Sequence, residues 1–142
     1  MDTLKLARWP VAVVALYNFG GVVADAVVPS GARMHLRNPN WPPHAKFHNG
    51  QSMTMGLCLG SLSLAVLFAP GPVTRPRLAV AAATAGTYFV GMLLAPLYPG
   101  ADWVDPEFSA EVRRPLGRPP QQLVGLGQVA LLAVALGLAY RR

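Results

Sequence analysis

Cysteine is nearly absent from this chain: Cys58 is the only one among 142 residues. Within one chain that leaves no disulfide framework and no Cys-based zinc site. Cys58 sits inside an apolar run, where a thiol is expected to be buried and inert, and there is no nucleotide-binding fingerprint, so redox chemistry is disfavoured. Charge is scarce as well. Asp, Glu, Lys and Arg make up 13% of the residues against 53% apolar, and the mean hydropathy is +0.37. An ordinary soluble domain carries about a quarter charged residues, so the composition points to a membrane protein. Acidic residues are the rarer sign, 6 against 12 basic, giving a formal net charge of +6. The basic residues border apolar runs and form no patch interleaved with exposed aromatics, so they read as membrane-flank anchors and nucleic acid is not an expected partner. No repeat of fixed period and no low-complexity tail occurs.

Long apolar runs are what the sequence has in quantity. After Lys5 and Arg8, the stretch Trp9 to Val28 is broken only by Asp25, and a helix of about 20 residues crosses about 30 Å of hydrocarbon. A cationic start, an apolar run and Ala24-Asp25-Ala26 also resemble a signal peptide with its cleavage site, but the run is long and further spans follow. Residues 29–41 hold Pro29, Gly31, Pro39, two arginines and His35 without a helical or strand period, and are expected to form a loop. Pro42-Pro43 then suits the first turn of a second span at about 45–69, stopped by Pro70 and Pro72. Inside it, Gly56 and Gly60 form a GxxxG pair, which either admits another helix closely or is merely tolerated. Third and fourth spans are expected at about 78–96 and 121–140, the last anchored by Arg141 and Arg142. Between them lies a polar stretch, 98–120, with Asp102, Asp105, Glu107, Glu111, Arg113, Arg114 and Arg118. It is longer than a connector needs and is expected to pack as a cap or hold a short helix.

The expected fold is therefore all-α: a polytopic membrane protein forming an antiparallel four-helix transmembrane bundle, a single transmembrane domain over residues 1–142, with two longer loops at one end. Counting Lys and Arg on the two sides gives a tie, and the closeness of one set to the span ends favours cytoplasmic termini. Oligomeric state is left open.

All the informative polar residues fall at the loop end of such a bundle. An ionised Asp in a span costs about 2.5–3.5 kcal/mol on insertion scales, so Asp25 should face the interior and find a partner, for which His48 is the first choice. The alternative is an Asp that snorkels to the interface or caps a loop amide. Asn18 lies two turns below Asp25 on the same face, Gln121 and Gln128 repeat that spacing in the fourth span, and Tyr88 supplies a hydroxyl from the third. His44 and His48, four residues apart, share one helical face with Gln51 and Met55 above them, next to Trp41 and Asn49. Three readings of the histidine pair stand. With Asp25 they could form a two-histidine, one-carboxylate metal site, although the Glu of an HExxH protease motif is missing. A His–Asp pair in a dry cavity could instead move protons near neutral pH. The pair could also be interfacial structure beside Trp41 and Phe47. His35, among arginines, is expected to be solvated, and Met53 to be packing.

The run Asn38-Pro39-Asn40-Trp41-Pro42-Pro43-His44-Ala45-Lys46-Phe47-His48-Asn49-Gly50-Gln51, with Tyr98 to Asp102 and Pro119 to Gln121, resembles a family of small microbial four-span membrane proteins of unknown function. That resemblance implies an architecture and no reaction. In overall plan the chain is also similar to the emopamil-binding protein and sigma-2 receptor class, helical membrane proteins with a polar pocket for sterols and amphiphilic amines; no residue carries over from that likeness.

The function expected from these residues is acid–base chemistry, namely isomerisation, cyclisation or hydration, on an isoprenoid-, sterol- or quinone-like molecule. Asp25, His44 and His48 would be catalytic, and Asn18, Trp41, Asn49, Gln51, Met55, Tyr88, Gln121 and Gln128 would bind substrate. No cofactor is expected, and the partners are the membrane and a hydrophobic small molecule or lipid. The alternatives are a non-catalytic amphiphile-binding protein, an accessory subunit of a membrane complex, and a metal site at His44, His48 and Asp25.

Overall fold

A computed structural model describes residues 3–141, so Arg142, expected to anchor the last span, lies outside the described residues. The regular structure is all helical, with no strand among the described residues. The helices are α1 (Thr3–Tyr17), α2 (Gly20–Val22), α3 (Pro29–Met34), α4 (Pro43–Phe68), α5 (Arg75–Leu94) and α6 (Pro120–Tyr140). Four helical stretches, Thr3–Val27, Pro43–Phe68, Arg75–Leu97 and Pro120–Tyr140, are long and apolar enough to cross a membrane. A helix satisfies its own backbone, which is what a span without water requires. Proline sits in the first turn of α3, α4, α5 and α6, where its missing N–H has no helical partner to lose. Thr74 caps α5 by accepting the Arg77 N–H. The polar stretch before α6 holds two short 3₁₀ turns, Pro106–Phe108 and Pro115–Gly117.

Two expectations about local structure need correction. The segment 29–41 is not wholly loop, because Pro29 opens α3 by the same device that opens α4. The first span is not one α-helix. It breaks at Asn18 and Phe19, resumes as α2, and widens into a π-helical turn, Val23–Val27, in which the Val28 N–H bonds the Val23 carbonyl at 2.9 Å. Pro29 has no N–H to continue that ladder.

Small side chains make the interior. Ala7, Val11, Ala15, Ala81, Ala85 and Ala135 are fully buried, and α1 packs against α4, α5 and α6 alike. Lipid is as apolar as leucine, so helices hold together in it through close packing and hydrogen bonds between them. The buried Asn18 amide donates to the Val14 carbonyl at 2.9 Å and to the Ala85 carbonyl of α5 at 3.0 Å. Ser63 Oγ donates to the Ala81 carbonyl at 2.8 Å, joining α4 to α5. Arg77, expected to anchor the chain at the interface, turns back on the end of α4 and donates to the Val66 carbonyl at 2.7 Å and to four further carbonyls, those of Ala69 through Pro72. Cys58, expected to be buried, is exposed on α4.

The GxxxG pair serves a contact within the chain. A Cβ on Gly56 would stand 2.6 Å from the Asn18 carbonyl oxygen, and one on Gly60 would stand 2.6 Å from that of Ala15. Because those obstacles are backbone, Gly60→Ala should push α1 and α4 apart at a cost of about 1–3 kcal/mol. The expected result is a lower unfolding temperature in detergent with the oligomeric state on size exclusion unchanged. A changed oligomeric state with an unchanged unfolding temperature would move the pair to a contact between chains.

Candidate functional site

The break in the first span opens a cavity of about 840 Å³ between the end of α1, the π-helical turn, α3, α5 and the first turns of α6. Its walls are mostly apolar, with Leu16, Phe19, Val28, Phe89, Met92 and Val124 among them; the polar side chains in it are Asp25, His35, Gln121, Tyr17 and Tyr88. Leu16, Tyr17 and Val23 are also exposed, so the cavity opens outward.

Asp25 lies in the middle of the π-helical turn, a distortion that commonly marks functional positions because it re-aims side chains. The chain then reverses into α3, which lies so tightly on the turn that a Cβ on Gly31 would stand 2.0 Å from the Ala24 carbonyl oxygen. That approach brings His35, just past the end of α3, onto Asp25: Nδ1 is 3.1 Å from Asp25 Oδ1 and 2.9 Å from the Gly31 carbonyl oxygen. A carbonyl only accepts, so Nδ1 carries the proton and donates. Nε2 is left without a partner among the described residues. The other carboxylate oxygen, Oδ2, accepts from Asn49 Nδ2 at 2.9 Å, and both Asp25 and His35 are half-buried, with side-chain exposures of 19% and 27%. This is a carboxylate-oriented imidazole with one free nitrogen in the wall of an apolar cavity, the arrangement of a general acid–base group.

The partner expected for Asp25, His48, is therefore replaced by His35 and Asn49, and His35 is not the solvated side chain expected. His44 and His48 bond each other, Nε2 to Nε2 at 3.0 Å, on the exposed face of α4, with Gln51 3.2 Å from His48 Nδ1 and Phe47 stacked on His44. Asp25 does not join them, and among the described residues no three His, Cys, Asp or Glu side chains gather as metal ligands. The proposed three-residue metal set is thus not assembled. Gln51 and Met55 line a separate shallow hollow of about 530 Å³ on the outside of α4. Asn18 is taken up by the α1–α5 contact. Tyr88 and Gln121 line the main cavity. Among the described residues the buried oxygens of Gln121 and Gln128 have no hydrogen-bond partner, and neither has Asn49 Oδ1.

Trp41 belongs to a clamp between the two long loops. Its indole N–H donates to Asp105 at 2.9 Å and its ring meets the His35 ring edge-on at 5.3 Å. Asn38 and Asn40 each donate to Glu107 at 2.6 Å, Arg33 pairs with Glu111, and the Arg33 guanidinium lies over the buried Phe108 ring. The clamp thus pins the segment that carries His35.

The Asn38 amide, then the Asn40 amide, holds the Glu107 carboxyl below its ordinary value. A depressed carboxyl stabilises the fold above its unfolded pKa, near 4.3, and loses that contribution as pH falls through the lower folded value. Hydrogen exchange over residues 33–41 should accordingly rise as pH is lowered through that range, after correction for the intrinsic rate, and Glu107→Gln should flatten the dependence; an unchanged profile in the variant would remove Glu107 from the clamp. Gly31→Ala should lift α3 from the π-helical turn and separate His35 from Asp25, which distance measurements between spin labels on α3 and α4 would detect as a longer separation; an unaltered separation would deny the close approach its role.

No curated protein and no solved structure matches the chain. Residues 10–142 match the model of a family of unknown function, DUF6640, and with nearly the whole chain covered the protein belongs to that family.

Proposed function

We propose that the protein is an integral membrane enzyme that performs acid–base chemistry, of the isomerisation, cyclisation or hydration kind, on an isoprenoid-, sterol- or quinone-like molecule drawn from the bilayer. The observation that carries this reading is the Asp25–His35 pair in the wall of a mostly apolar cavity. His35 Nε2 takes and returns the proton, Asp25 holds the ring in one tautomer and orientation, Asn49 fixes the carboxylate, and the apolar walls receive the body of the substrate. His35 stands in this proposal where the residue spacing put His48. Residues 1–142 act as a single transmembrane domain with both termini on the cytoplasmic side. The likeness in plan to the emopamil-binding protein and sigma-2 receptor class, and the motif from Asn38 to His48 as a mark of the family, belong to the same proposal. A protein that binds an amphiphile without turning it over would use the same cavity, whereas an accessory subunit would need no such space.

Purification in mild detergent followed by mass spectrometry of retained small molecules tests the proposal. Wild type should keep an apolar molecule in near-stoichiometric amount. Asp25→Asn and His35→Gln should lower its occupancy or its conversion at least tenfold while remaining monodisperse, and His44→Ala with His48→Ala should leave both unchanged. Loss in the His44/His48 variant alone would move the site to the outer face of α4. Stoichiometric metal that disappears with those two histidines would favour a His-ligated metal site there.

A further inference from the structure

The polar atoms of the cavity also define the head group it accepts. Among the described residues no Lys or Arg lines it, Asp25 is the one carboxylate there, and His35, Gln121, Tyr17 and Tyr88 complete its polar side chains. Both Asp25 oxygens already accept hydrogen bonds, from His35 and from Asn49. His35 Nδ1 is engaged with Asp25 and Gly31, which leaves Nε2 as a bare acceptor. The Gln121 amide makes no hydrogen bond within the described chain, and its buried oxygen is unsatisfied. Ser52 Oγ donates to the Tyr88 oxygen at 3.4 Å, so the phenolic hydrogen remains available to a ligand.

We infer that the substrate carries a hydroxyl head on its apolar body. This rests on the proposed use of the cavity and narrows it. A hydroxyl donates one hydrogen and accepts at least one; it can donate to His35 Nε2 and accept from the Gln121 amide or the Tyr88 phenol. A plain hydrocarbon would cover those groups without pairing them, which is where binding selectivity is usually lost or won. A phosphate or carboxylate head would face Asp25 with no guanidinium or ammonium in the wall to balance it. A carbonyl head accepts only and would leave Nε2 bare. An ammonium head donates only and would leave the Gln121 N–H and the Tyr88 phenol without an acceptor.

The test uses the intact protein in lipid nanodiscs and four ligands of one C15 isoprenoid skeleton: the alcohol, the hydrocarbon, the diphosphate and the primary amine. Binding is read from ligand-induced changes at 15N-labelled histidines and expressed per mole fraction in the bilayer, so that unequal partitioning is removed. The alcohol should bind at least tenfold more tightly than the other three, and Gln121→Leu should reduce that preference about tenfold with hydrocarbon binding unchanged. Should Gln121→Leu fail to fold, the four-ligand series on the wild type still decides. The diphosphate or the amine binding as tightly as the alcohol would overturn the hydroxyl head and leave the cavity reading standing. Equal binding of alcohol and hydrocarbon would overturn it in the same way. Binding of none of the four, hydrocarbon included, would overturn the use of the cavity itself.

Discussion

In hydrocarbon an unpaired backbone amide or carbonyl costs several kcal/mol, so a span can leave the α-helical ladder only where something else takes over. The first span does so at two places, and the loop end of the bundle depends on both. At Asn18 the side-chain amide ties the helix to the Ala85 carbonyl of α5, while Gly56 lets α4 come close to the Asn18 carbonyl. At Val23–Val27 the ladder widens to π spacing and then stops before Pro29, which has no N–H to offer. The divergence of this half-span from α5 and α6 is the space in which the cavity lies, and the widened turn carries Asp25 on its wall.

The conspicuous motif from Asn38 to Gln51 divides its work. Its front half is architectural: Asn38, Asn40 and Trp41 hold the acidic side chains Glu107 and Asp105 of the other long loop. Asn49 reaches inward to Asp25, while His44, His48 and Gln51 form a hydrogen-bonded chain on the exposed side of α4. The imidazole that lines the cavity, His35, lies just outside the motif. It is held from below by Asp25 and Gly31 and from the side by Trp41, so the loop clamp and the intramembrane carboxylate position the same imidazole.

Much of this was legible in the residues. Four apolar runs punctuated by proline define four helices, because chain length and backbone satisfaction leave little else in a membrane. Asp25 stood out because a charge in a span needs a partner. Its partner did not, since α3 depends on a contact between Gly31 and the Ala24 carbonyl that no periodicity announces, although Pro29 gave the same opening signal as Pro43. The face of α4 was readable in part: Asn49 lies two turns before Gly56, on the side that approaches the first span, whereas His48, Gln51 and Met55 share the opposite register. The four-residue histidine spacing, taken as the leading signal, marks the face of α4 that does not meet Asp25.

The central claim is that His35 is an Asp25-oriented imidazole. It is tested most directly by 15N NMR of the three histidines in lipid nanodiscs at alkaline pH. The account predicts that His35 shows a protonated Nδ1 and a bare Nε2, that Asp25→Asn shifts these resonances, and that replacing His44 and His48 with alanine leaves them in place. A His35 ring that exchanges freely between tautomers and ignores Asp25→Asn would contradict it.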